Sequence, residues 1–115
     1  MQILNQTRNT TVAENAVMAD TAFSRLKGLL GRSEIGSREA LVITQCRSIH
    51  MFFMKFAIDV IFADRHDRAV GLVSRIKPFC MSPYFFRASY AVELPEGAIA
   101  SSRTQKGDQL VFVKG

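Results

Sequence analysis

Between Cys46 and Asp64 the segment CRSIHMFFMKFAIDVIFAD places Cys46, His50, Met51, Met54, Lys55 and Asp59 inside an otherwise apolar run. Ionisable groups in such company need a partner or a task. Cys46 and His50 could form a thiol nucleophile and its base, with Asp59 as the orienting acid, provided the thiol is exposed and of low pKa. Four residues of extended strand span roughly 13 Å, too far for that pairing, whereas a turn in the polar stretch Gln45–Ser48 would bring the two together. The bland alternative is a buried Cys beside a hydrogen-bonded His. Met51, Met54 and Met81 with Cys46 and Cys80 offer the soft donors that select copper(I), but methionine also fills irregular core gaps. No metal is expected, since neither CxxC nor His-x-x-x-His spacing occurs.

Asp59, flanked by Ile58 and Val60, must reach solvent or find donors. Paired with Arg25 it would fasten a covering helix to a sheet; lining a cavity with His50 it could hold a proton or a ligand. The expected cleft is therefore Arg25, Cys46, His50, Met54 and Asp59. Glu93 alternates with Val92 and Leu94, so it is expected on the opposite side of its strand, facing solvent or a basic partner. Phe79, Tyr84, Phe85 and Phe86 crowd a proline-marked loop. They form either a surface for a protein partner, a membrane or a second copy, or a plug over one end of the fold.

The elements that must position these groups are short. Gln2 to Thr7 and Thr10 to Val17 read as a hairpin turning at Arg8 and Asn9. A helix follows, capped by Asp20 or Thr21, with Phe23, Leu26, Leu29 and Leu30 on one stripe and an end at Gly31. Strands are expected at Leu41–Thr44, His50–Met54, Asp59–Ala63, Ala69–Ile76, Ser89–Leu94 and Gln109–Val113, with a second short helix opened by Pro95. Many strands and two short helices give an α+β, β-rich class: a compact antiparallel sheet, barrel-like or strongly curved, with a helix over one opening.

The 115 residues make one domain, large enough for a core without disulfides or metal. Hydrophobic residues at 48% and charged residues at 22% exclude disorder and low complexity. The net charge of +5 is scattered from Arg8 to Lys114 and diluted by acids, so nucleic-acid binding is disfavoured. His50, Lys55 and Asp59 interrupt the most apolar stretch, which leaves no transmembrane span. The N-terminus has no basic start followed by an apolar h-region, so a cytoplasmic location with free Cys46 and Cys80 is expected. No glycine-rich phosphate loop occurs, and no cofactor is expected.

RLKGLLGR at Arg25–Arg32, SIHMFFMKFAIDVIFAD at Ser48–Asp64, VELPEG at Val92–Gly97 and Gly107-Asp108 resemble, in order and spacing, the domain of unknown function 192. The resemblance implies a compact β-rich domain, found as a small soluble protein and also behind export signals, with no assigned activity. The chain departs from the family pattern after Asp64, where Arg65–Arg68 stand in place of a turn containing glycine, so a different turn is expected. The reading that results is a binding or accessory module for a small ligand or a protein partner, a monomer or weak dimer. The alternative is a small enzyme using Cys46 or the His50/Asp59 pair.

Overall fold

The computed structural model describes residues 1–114, apart from the side chains of Ala22, Phe23 and Leu26. The expected stripe residues Phe23 and Leu26 thus lie outside the described side chains. Eight strands and two short helices run in the order β1 (Gln2–Asn5), β2 (Thr10–Ala13), β3 (Asn15–Ala19), α1 (Ala22–Lys27), β4 (Glu39–Thr44), β5 (Ile58–Ala63), β6 (Ala69–Ile76), β7 (Tyr90–Pro95), α2 (Ala98–Ser102) and β8 (Leu110–Val113). They form two open sheets, β2-β1-β8 and β3-β4-β7-β5-β6. Neither closes, so the barrel-like expectation is corrected. The wholly antiparallel expectation is corrected as well: β3 and β4 pair in parallel, joined through α1.

The larger sheet is the middle layer, covered on both faces. On one face Val42, Ile61, Val92 and Leu94 meet Ile3, Val12 and Leu110 of the small sheet, with Ala98 and Ile99 of α2. On the other face Ile58, Val60, Phe62 and Ala91 pack against Leu29, Ile49, Met51 and Met54 from the end of α1 and the loop before β5. Two-sided burial explains why β5 and the first five residues of β7 are buried at every position, instead of alternating.

The expected first hairpin breaks at Glu14. Residues 10–13 pair with β1 while Asn15–Ala19 cross to the large sheet, so that β2 and β3 each become an edge strand of a different sheet. α1 is shorter than its apolar pattern. Thr21 and Ser24 close a reciprocal capping box, and the chain leaves the helix at Gly28 with φ 49°, a left-handed value that suits glycine. His50–Met54, read as a strand, is instead an irregular loop. Gln45 and Phe53 take φ of 53° and 65°, which breaks extension at both ends, and only His50 forms a bridge, with Met81.

The turn after β5 solves its missing glycine with an aspartate. Asp67 adopts φ 63°, while Asp64 Oδ1 accepts the backbone N–H groups of His66 and Arg68. The Gly107-Asp108 signature is also structural. Buried Asp108 accepts from Asn5, Arg8 and the Gln105 backbone through Oδ2, tying the β1–β2 turn to the segment before β8. Burial works to raise its pKa, yet the Arg8 and Asn5 hydrogen bonds outweigh it and hold the carboxyl below its usual range.

Phe85 needs correction as a surface residue. Its ring sits 4.6 Å from that of Phe62, and it presses on Gly71, where an added Cβ would stand 2.3 Å from the ring. Gly71 is present because an aromatic ring occupies the space of its side chain. Gly71→Ala should therefore displace Phe85 and cost about 2–3 kcal/mol, measured by chemical denaturation. A loss below about 0.5 kcal/mol would mean that the loop can move aside freely.

Candidate functional site

The expected cleft divides between the two faces of the large sheet. Successive residues of a strand alternate faces, so Asp59 lies on the side of Ile61 and Ala63, toward the small sheet, whereas Val60 and its partner Glu93 lie on the side of α1. Asp59 shares no cavity with His50 and makes no pair with Arg25. Its oxygens accept three backbone N–H groups: Arg75 at 2.9 Å, Gly97 at 3.2 Å and Ile99 at 2.9 Å. Arg75 sits in the irregular register of β5 and β6 with φ 53°, where its N–H leaves the ladder. Gly97 begins α2, a helix with no side-chain cap of its own. Asp59 supplies both needs from a position 1% exposed.

On the other face the remaining four residues meet. Arg25, Cys46, His50 and Met54 line a cavity of about 120 Å³ together with Leu29, Ile43, Ile49 and Glu93. The turn at Gln45 brings Cys46 and His50 to the same space, as a turn there was required to do. His50 is exposed at the rim, stacked on Phe52 at 5.2 Å, with Nδ1 accepting from the Phe52 N–H. Arg25 is directed to the Asp20 carbonyl at 3.0 Å.

Glu93 is the residue that strand alternation misjudged. It does point away from Val92 and Leu94, but that side is roofed by the end of α1 and the loop after β4. The residue is 7% exposed, and its Oε1 has no hydrogen-bond partner among the described residues. A Cβ on Gly28 would lie 3.8 Å from this oxygen, yet the Gly28 N–H is already given to Ser24. Burial alone pushes the Glu93 pKa to about 7. The roof over this face comes from Leu29, Ile49, Met51 and Met54.

Cys46 is arranged for inertness. Its thiol donates to the Ser48 carbonyl at 3.2 Å, and burial, reinforced by the Glu93 charge, raises its pKa. A thiolate nucleophile with His50 and Asp59 is not assembled. Exposed Cys80 should react with a thiol reagent at pH 7.5 at least tenfold faster than half-buried Cys46. Comparable rates, read by mass spectrometry of the labelled peptides, would contradict the buried thiol. No group of three or more His, Cys, Asp or Glu side chains arranged for a metal occurs among the described residues.

Residues 3–112 match the family model DUF192, described as an uncharacterized ACR. The UPF0127 protein of Thermococcus sibiricus is 31% identical over 112 residues, covering 94% of this chain and 72% of its own. That of Pyrococcus horikoshii is 32% identical over 111 residues, covering 94% and 96%. Among solved structures, a protein of unknown function from Novosphingobium aromaticivorans superposes with a TM-score of 0.84 at 18% identity, over 97% of this chain and 84% of its own. A putative transcription regulator from Sinorhizobium meliloti superposes at 0.74 and 16% identity, over 96% and 89%. At those identities the likeness is one of fold.

Proposed function

Because this chain belongs to the DUF192 family, in which no activity is assigned, we propose from its own geometry that it is a small-ligand binding module, with Glu93 as the group that grips the ligand. The observation that carries this reading is the buried, unpartnered Oε1 at the wall of a cavity lined by both apolar and polar side chains. A buried carboxylate without a donor is costly, and a fold keeps such a group where something else supplies the donor. The complementary chemistry is a protonated amine, which would give Glu93 both a counter-charge and a hydrogen bond.

Size sets a further limit. A cavity of about 120 Å³ takes a ligand, or the end of one, smaller than the benzene-sized molecule that fills a void of about 150 Å³. Leu29, Ile43, Ile49 and Met54 suit a short methylene chain, and Arg25 and Lys27, which line the same cavity, suit an acidic group on the ligand. The ligand class is thus a short amine with an acidic tail.

A cation prefers the ionised form of Glu93, so affinity should rise as pH increases through about 7 and level off above it. Thermal-shift titration with β-alanine and γ-aminobutyrate at pH 8, against propionate and butyrate as amine-free controls, tests the class. Stabilisation by the amines alone, weaker at pH 6, supports the reading. Equal shifts with both series, or none, refute it.

A further inference from the structure

Two loops carry the most exposed apolar side chains among the described residues, and they lie side by side. The Met51 N–H donates to the Cys80 carbonyl, the Phe79 N–H donates to the Met51 carbonyl, and His50 bridges Met81. This pairing gathers Phe52, Phe53, Phe79 and Met81, which are 41%, 77%, 66% and 66% exposed. The Phe53 and Phe79 rings meet edge-to-face at 6.5 Å. Both residues hold left-handed backbone, φ 65° and 67°, a conformation aromatic residues seldom adopt and one that persists only when the surroundings impose it. Further along the second loop, Tyr84 and the 80% exposed Phe86 form another edge-to-face pair at 4.8 Å.

Within the two loops themselves the charges are of one sign, although Asp64 from the turn after β5 lines the same cavity as Tyr84, Phe86 and Arg87. Residues 45–57 and 77–89 contain Arg47, Lys55, Lys77 and Arg87 and no Asp or Glu, although the chain as a whole has ten acids. All four basic residues are exposed, and none of them forms an ion pair among the described residues. Cations without acidic partners thus share two loops with exposed phenylalanines, a combination that marks an interaction surface.

From this juxtaposition we propose that the paired loops are a docking surface for an anionic lipid bilayer, with Phe53 and Phe79 entering the interfacial region and Lys55 and Lys77 facing the headgroups. Apolar insertion and attraction to anionic lipid act together in peripheral membrane binding, each weak alone. No described helix is long and apolar enough to cross a membrane, so the attachment is peripheral and reversible. Single-stranded nucleic acid also pairs cations with aromatics, but it uses rings laid open as stacking platforms along a groove. Here the rings meet by their edges at loop tips. The proposal is independent of what the Glu93 cavity holds, although the same loop roofs both.

Co-sedimentation with vesicles of phosphatidylcholine alone, and with 30% phosphatidylglycerol, tests the surface on the full chain. The expected result is binding to the anionic vesicles at 50 mM salt at least tenfold stronger than to neutral ones, weakening at 300 mM. The double variant Phe53→Ser/Phe79→Ser should lose at least tenfold in binding while keeping its melting temperature, since both rings are mostly in solvent. The double variant Lys55→Glu/Lys77→Glu should lose the preference for anionic lipid. Absence of binding at low salt, or binding unchanged by the phenylalanine substitutions, overturns the proposal. So does tight binding of a single-stranded oligonucleotide that displaces the vesicles. A stable dimer in sedimentation velocity that the phenylalanine variant dissociates would assign the patch to self-association and overturn it as well.

Discussion

Replacing Asp59 with Ala should destabilise the fold by about 4 kcal/mol, a loss readable as a fall in the midpoint of guanidinium unfolding. The carboxylate accepts three backbone N–H groups from two elements, Arg75 at the irregular end of β6 and Gly97 and Ile99 at the start of α2. Hydrogen bonds to a charged acceptor contribute roughly 1.5–3 kcal/mol each, and removing the acceptor strands buried donors at further cost. The contributions do not add fully, because water can reach Arg75 once the side chain shortens. Asp59→Asn should fall between the two, about 2 kcal/mol below the parent. It keeps one acceptor oxygen but turns an amide NH₂ toward an N–H donor. A loss under 1 kcal/mol in the alanine variant would show that α2 and the β6 irregularity hold without this cap.

Glu93→Gln should act in the opposite direction. The ordinary glutamate pKa of 4.5 applies to the unfolded chain, and burial raises it to about 7 in the fold. Below pH 4.5 both states hold the proton and the group is neutral toward stability. Between 4.5 and about 7 the unfolded state releases its proton first, so stability falls as pH rises. Above about 7 both are ionised and the loss is complete, about 3 kcal/mol for such a shift. An uncharged glutamine removes that loss. The variant should therefore match the parent at pH 4 and exceed it by about 3 kcal/mol at pH 8, roughly 10 °C in Tm for a chain of this size. If the parent shows no fall in stability across this range that Glu93→Gln abolishes, Glu93 is not the desolvated acid described above.

The two carboxylates make opposite contributions for the same physical reason. Asp59 is buried with its donors already in place, and Glu93 is buried with one oxygen waiting for a donor. A residue whose removal stabilises the fold is kept for something other than the fold.

Much of the architecture was legible in the sequence. β6 runs over Ala69–Ile76 as its pattern predicts, and β4, β5, β7 and β8 lie within two residues of their expected bounds, because short β-branched and apolar runs bounded by turn residues are a strong signal. At residues 64–68 the missing glycine reads as a different turn, but the positive-φ position is kept and filled by Asp67, since asparagine and aspartate tolerate that conformation. What escaped were features decided by tertiary contact. The switch of sheets at Glu14 lies inside a continuous β-type run, and nothing local marks it. The apolar stretch His50–Met54 reads as strand, yet only Met51 and Met54 are buried, packed over a sheet the stretch does not join, while Phe52 and Phe53 face solvent. Alternation alone gives Glu93 to solvent or a basic partner, and nearness in sequence to His50 gives Asp59 to the cleft. Alternation fixed which side each residue occupies, but only the layers on either side of the sheet decide which side is wet.

The most direct test of the binding proposal is a titration of the Glu93 carboxyl by carbon-13 NMR, with and without saturating γ-aminobutyrate. In the free protein the midpoint should lie near 7, and the bound amine should draw it down toward the ordinary glutamate value of 4.5, because the cation favours the ionised carboxylate. A midpoint that the amine leaves unchanged would contradict the assignment of Glu93 as the ligand-gripping group.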